Sequence, residues 1–212
     1  MKWYPYNNLV IIMSAIFIAV LLTVRVITTD MPVLDEWSSP FVDTLQGTTL
    51  FVVFRWITEL GSGTFIAPFL VVFAVTYYYF SKNLIASIMI PLGALLGYRA
   101  NHWIKILIER ERPSLLPEAE GVGFSFPSGH AMGAMIAYGL VIHFLTVYLK
   151  NDNTKLTLQI VGVVLIVLIG MSRYVIRVHY LTDVVAGFAF GFLFLATWIG
   201  FYNRINNYVS NK

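Results

Sequence analysis

The 212-residue chain has no cysteine, which excludes disulfides and thiolate metal sites and leaves the redox compartment unread. Charge is scarce too: Asp, Glu, Lys and Arg make up only 12% of it, against about 25% in a soluble domain. The net charge of +3 is too small to argue for a nucleic-acid partner. No long-period repeat, low-complexity tract or linker interrupts the chain, so one domain over residues 1–212 is expected. Nor do His, Asp and Glu fall at metal-ligand spacing, and neither a metal nor a cofactor is expected. What remains is apolar: 58% of the residues are hydrophobic and the mean hydropathy is +0.75. The expected class is all-α, a polytopic membrane helix bundle.

Six runs are long and apolar enough to span: Leu9 to about Ile27, Phe65–Phe80, Leu84 to about Ile108, Ala131–Leu149, Leu156–Met171 and Val184–Phe201. The first lacks a small-residue cleavage site and reads as an uncleaved span rather than a signal peptide. Residues 50–60, LFVVFRWITEL, are too short to cross and predict an interfacial helix, with Phe51 or Trp56 beside a lateral path for lipid. Lys2, Lys82, Lys150, Lys155, Arg204 and Lys212 place both termini in the cytoplasm. Trp3 and Trp198 would then mark the inner belt. Asp30, Asp35, Glu36, Asp43, Glu59, Glu109, Glu111, Glu118 and Glu120 would lie outside, and a cell-membrane location follows. Arg110, Arg112, Arg173 and Arg177 break the positive-inside pattern, and ionisable groups at membrane depth need a reason.

Three stretches supply it: KILIERERP (Lys105–Pro113), PSGH (Pro127–His130) and SRYVIRVHYLTD (Ser172–Asp183). A short loop joins the first two. Two spans separate the second from the third, and two crossings return the chain to the face it left. All three stretches therefore share one face, which the orientation above puts outside. Lys105 and Arg112 are close to two helical turns apart and predict one cationic wall. Ser128 is a good N-cap and Gly129 permits close approach, so PSGH predicts a helix N-terminus able to hold an anion beside His130. His179 and Asp183 stand at i and i+4. A carboxylate on one imidazole nitrogen frees the other to attack. With Arg173 this is a phosphoryl-transfer site in which cations take the place of Mg²⁺.

Together the stretches resemble the signature of the type 2 phosphatidic acid phosphatase superfamily, K-x6-R-P, P-S-G-H and S-R-x5-H-x3-D, and every defined position matches. The resemblance implies a lipid phosphatase with His179 as nucleophile, Asp183 orienting it, and His130 protonating the leaving oxygen and then activating water. It implies that Lys105, Arg112, Arg173 and the Ser128–Gly129 backbone hold the phosphoryl oxygens. Phosphatidic acid, phosphatidylglycerophosphate and undecaprenyl diphosphate are the substrates of bacterial members. A lipid phosphate and membrane lipids are the expected partners, without nucleic acid or an obligatory protein.

Outside the signature, Arg110 and Arg177 are expected to be solvated or to touch headgroups, and Glu109 and Glu111 to be solvated. His102 and His143 are expected to pack, Arg99 to snorkel or pair with an acid such as Glu59, and the pairs Gly93/Gly97, Gly129/Gly133 and Gly187/Gly191 to let helices approach. A transporter or flippase would show inverted repeats and broken helices, which are not seen. An inactive lipid-phosphate-binding protein would not need two histidines and an orienting Asp.

Overall fold

The structure, a computed structural model, describes residues 8–113 and 123–211. Among them are eight helices and no strand: α1 (Leu9–Thr28), α2 (Val33–Asp43), α3 (Thr49–Glu59), α4 (Gly63–Ser81), α5 (Leu84–Ile108), α6 (Gly129–Thr146), α7 (Asp152–Val175) and α8 (Leu181–Ser210). Six of them, α1 and α4 to α8, are long and apolar enough to span. Lys2, Trp3, Glu118, Glu120 and Lys212, used above for orientation, lie outside the described residues.

Capping chemistry sets where the spans start, and it lengthens some of them beyond their apolar runs. Asn83 Oδ1 accepts from Ala86 N at 3.0 Å to begin α5. Asn151 caps α7 through the amides of Asn153 and Thr154, at 2.8 and 3.3 Å, adding a polar first turn ahead of Leu156. Asp183 Oδ2 accepts from Tyr180 N at 3.0 Å, so α8 starts before Val184. At its C-terminus α5 stops at Ile108, because Glu109 turns left-handed with φ 53°.

The bundle is organised around α6, which packs against α4, α5, α7 and α8. Its small residues explain the position: Ala131, Ala134 and Ala137 are fully buried. Gly187 and Gly191 of α8 face it so closely that a Cβ on Gly187 would lie 2.8 Å from Ser128 O, and one on Gly191 3.0 Å from Met132 O. The GxxxG reading therefore describes backbone-to-backbone approach of α8 on α6. At Gly93 the partner is an indole: Trp198 lies over it and donates Nε1–H to Met89 O at 2.9 Å. The main core gathers Leu70, Ile90, Met132, Ile136, Leu140 and Leu195 from α4, α5, α6 and α8.

The short helices α2 and α3 cover the α7–α8 turn. Tyr174 Oη donates to Ser38 O at 2.6 Å, and Arg173 Nη1 donates to Thr58 Oγ1 at 2.8 Å. The expectation for Phe51 needs correction. It is 4% exposed and packs on Ile176 and Val178, so it braces the turn and does not face a lipid path. Trp56, 75% exposed, points away from that core.

Candidate active site

The three sequence stretches meet at one end of the bundle. Ser128 N donates to Asp183 O at 2.9 Å, joining the start of α6 to the first turn of α8. Lys105 Nζ donates to Phe124 O and, at 3.1 Å, to Ser125 O. Arg112 Nη1 donates to Val178 O at 2.7 Å and lies 3.2 Å from His179 Nε2.

Two local expectations reach this result by a different route. Lys105 and Arg112 are not on one helix face, since α5 ends between them. Arg112 comes from the extended segment after Glu109, held by Nε donating to Gly123 O at 2.8 Å. Likewise His179 precedes α8, so helical i, i+4 geometry does not join it to Asp183. The N-terminal turn does, and His179 Nδ1 lies 3.3 Å from Asp183 Oδ2.

These contacts settle the imidazole tautomer. Arginine has donors only, so Nε2 accepts from Arg112 and the proton sits on Nδ1. Nδ1–H then faces Asp183 Oδ2 and Ser125 Oγ, both at 3.3 Å, while the Ser125 hydroxyl itself donates to Asp183 Oδ2. His179 is 3% exposed, and burial pushes its pKa down to about 3, with Asp183 opposing the shift and Arg112 and Lys105 adding to it. The free imidazole is therefore neutral at physiological pH, with a lone pair on Nε2. Burial also lowers Arg112 below the usual arginine range, and Asp183 offsets part of this.

Ser128 Oγ accepts from Ala131 N at 3.4 Å and Ser128 O from Met132 N at 3.0 Å. The amides of Gly129 and His130 are left at the helix N-terminus, where an anion is favoured. Gly129 has Asn101 Oδ1 against it, 3.2 Å from where a Cβ would stand. Arg173, 7% exposed, lies in the last turn of α7, and His130 is within electrostatic range of Arg173, Arg112, Lys105 and His179.

His130 also lines a cavity of about 780 Å³ between α4, α5 and α6. Ile66, Leu70, Leu95, Tyr98 and Gly133 wall it. The lining is largely apolar, and Gly129 and His130 belong both to it and to the site.

Sequence reasoning missed or misplaced several residues here. Arg110 is not solvated. Its side chain is 8% exposed, and it bridges Asp183 Oδ1 at 2.6 Å and Asp35 Oδ2 at 2.8 Å. Asp35 is therefore also part of the site's surroundings, and Ser125, Asn101, Thr182 and Thr58 are among the other buried polar residues that went unnoticed. Arg177 is a partly exposed ion pair with Asp43 at 2.9 Å, in a left-handed conformation with φ 64°. His102 is exposed with its ring edge-on to Trp103, and the face of α5 that meets the site carries Asn101, which donates to Pro127 O at 3.3 Å. Arg99 is exposed, and no pair with Glu59 is found among the described residues. Glu109 and Glu111 are exposed, and His143 is buried edge-on to Phe144.

Comparison with known proteins gives a consistent picture. Residues 82–207 match the PAP2 superfamily. Phosphatidylglycerophosphatase B of Bacillus subtilis (strain 168) is 32% identical over 179 residues, spanning 82% of this chain and 86% of the relative. Lipid phosphate phosphatase delta of Arabidopsis thaliana is 23% identical over 157 residues, 68% of this chain and 38% of that protein. Among solved structures, a transmembrane PAP2-type phosphatidylglycerolphosphate phosphatase from Bacillus subtilis superposes with a TM-score of 0.84 at 30% identity, covering 92% of this chain and 96% of its own.

Proposed function

The chain belongs to the PAP2 superfamily, and from that membership we propose that it is a multi-pass membrane lipid phosphatase releasing the terminal phosphate of a lipid phosphate or diphosphate through a phosphohistidine on His179. Phosphatidylglycerophosphate heads the candidates, because the similar Bacillus subtilis phosphatase carries that substrate in its name, as does the similar solved structure. Phosphatidic acid and undecaprenyl diphosphate follow.

The observation that carries the reading is His179, neutral, with Nδ1–H toward Asp183 and Nε2 presented to the Arg112 guanidinium. A phosphoryl group arriving there takes Arg112 as its own partner and uncovers the Nε2 lone pair. Lys105, Arg112, Arg173 and the amides at the start of α6 neutralise its oxygens, the work a metal performs in other phosphoryl-transfer enzymes. Nε2 attacks phosphorus, the P–N bond forms and the P–O bond to the lipid breaks. His130, where the apolar cavity meets the pocket, gives its proton to the leaving lipid oxygen. Neutral His130 then takes a proton from water as that water attacks phosphorus. The P–N bond breaks, and inorganic phosphate and the parent imidazole are restored.

The cavity supports lipid as the substrate class, since its walls suit an alkyl chain and the proton donor His130 lines it. Loop charge supports cytoplasmic termini, a site on the outer face and residence in the cell membrane.

A phosphate-release panel on purified protein tests the reading. Turnover of at least one of phosphatidylglycerophosphate, phosphatidic acid and undecaprenyl diphosphate is expected, and it should persist in EDTA and fall with vanadate. His179→Ala should abolish release while leaving the unfolding temperature in detergent close to the parent's. Full activity in that variant, or a strict Mg²⁺ requirement, would overturn it.

A further inference from the structure

We infer that Asp35 and Arg110, neither of them a signature residue, form a buried clamp that fixes the orientation and the available charge of Asp183, and are thereby positioning residues for His179. The inference rests on the phosphatase reading above for its kinetic consequence.

The geometry is a closed circuit drawn from three parts of the chain. Arg110, after the end of α5, spreads its fork between two carboxylates: Nη1 donates to Asp183 Oδ1 at 2.6 Å and Nη2 to Asp35 Oδ2 at 2.8 Å. Both carboxylate side chains are 0% exposed. Asp35, on α2, accepts from Thr182 N at 2.9 Å and Thr182 Oγ1 at 2.6 Å, and Arg110 Nη1 also donates to Thr182 Oγ1 at 2.8 Å. The Tyr180 ring lies under the guanidinium, with Cζ 4.0 Å from its centroid. Tyr180 is the N-cap of α8 and Thr182 lies in its first turn, so the clamp grips the element that carries Asp183.

Two consequences follow from charge and shape. The planar fork occupies Oδ1 and holds the carboxylate plane, which leaves Oδ2 for Nδ1–H of His179. In addition, one cation shared by two anions leaves a net negative charge beside the imidazole. As Nε2 bonds to phosphorus the ring becomes cationic, and that charge stabilises it. Were Asp35 neutral, Arg110 would act on Asp183 alone and weaken it as a counter-ion. Asp35 thus preserves the anionic character of Asp183 without touching the substrate.

A buried ion triad also ties α2 to the bundle, so the test needs readouts that anchoring alone would not move. Arg110→Ala would leave two facing carboxylates and fails to discriminate, because such a protein is prone to misfold. Asp35→Asn, nearly isosteric and still able to accept from Thr182, and Arg110→Lys serve instead. kcat and KM for phosphatidic acid in detergent micelles are measured beside the ¹⁵N signals of labelled histidines, with His179 assigned through its Gln variant. In folded Asp35→Asn, kcat should fall roughly tenfold or more, the scale typical of groups that orient a functional imidazole from behind. KM should stay within about threefold, and the His179 Nδ1–H signal should move. Arg110→Lys should do the same, since an ammonium cannot hold both carboxylates in one plane. A kcat within about twofold of the parent, or a loss of activity with the His179 signal unmoved, would overturn the clamp. If the parent itself releases no phosphate from phosphatidylglycerophosphate, phosphatidic acid or undecaprenyl diphosphate, the phosphatase reading fails separately. The imidazole signal then still decides: movement in Asp35→Asn supports the clamp, and an unmoved signal sinks it.

Discussion

His179 is held by neighbours that do different jobs. Arg112 assigns the tautomer by offering only donors, Asp183 and Ser125 hold the proton on Nδ1, and burial keeps the ring neutral. Neutrality has a consequence for stability. In the unfolded chain this imidazole titrates near 6.5, and in the folded protein near 3. Between those values the unfolded state binds the extra proton, so the stabilisation is whole above pH 6.5 and is lost as pH falls toward 3. The unfolding temperature in detergent should therefore drop on acidification from pH 7 to 4. His179→Gln, which cannot take up that proton, should drop less; an identical slope in parent and variant would contradict the assignment. A bell-shaped activity profile is expected where a neutral His179 attacks and a protonated His130 donates. The acid limb of kcat/KM cannot report His179, and near pH 6 it would follow the second ionisation of a phosphate monoester. Arg112→Lys should be costly, about 10²-fold in kcat/KM, because one ammonium cannot replace a fork that meets Val178 O, Gly123 O and Nε2 together. A loss of less than about fivefold would argue that the fork is dispensable.

Among the elements, the approach of α8 to α6 does most to assemble the pocket, and glycine makes it possible. A Cβ at Gly187 would meet Ser128 O at 2.8 Å and Ala131 Cβ at 2.9 Å. Gly187→Ala should therefore push the start of α6 away from Asp183, costing about 1–3 kcal/mol of stability, as overpacking does, and lowering kcat. Gly200→Ala, also on α8, where a new methyl would meet nothing within 4 Å, should leave both within error. Thermal unfolding and turnover of the pair check this; equal effects would mean that the contact is not what sets the spacing. The long elements were legible because about twenty apolar residues leave few alternatives. Helix α2 was not, because it is one short amphipathic stretch with Asp35, Glu36 and an internal Pro40, features that read equally well as a loop. His102, expected to pack, is exposed beside Trp103 and turned away from the face of α5 that meets the site. Asn101 at the next position occupies that face, and its pairing to Pro127 O is invisible in the local pattern.

For the whole molecule, the parity of the spans foretold that the three stretches share one end, and Ser128 N bonded to Asp183 O makes that concrete. The parity argument needs only an even number of crossings, so it survived errors of several residues at span ends. Sequence could not reveal the pairing of Arg110 with Asp35, because the two lie on separate elements and only the folded bundle makes them neighbours. The lateral cavity belongs to the same scale, since three helices build it. Ala94→Phe, placed in its wall, should raise KM for a long-chain lipid phosphate by about fivefold or more while sparing a short-chain, water-soluble phosphate ester. The magnitude follows from blocking a methylene-binding surface worth about 0.8 kcal/mol per buried CH₂. Equal effects on both substrates would place the lipid path elsewhere.

The central claim is that phosphorus passes through His179. It is tested most directly by quenching the enzyme in alkali during turnover of a ³²P-labelled lipid phosphate and mapping the label. The account predicts an acid-labile, alkali-stable phosphoramidate on the peptide that contains His179, absent from His179→Ala. Label on His130 or on any other residue, or steady release of phosphate with no labelled protein at any quench time, would contradict it.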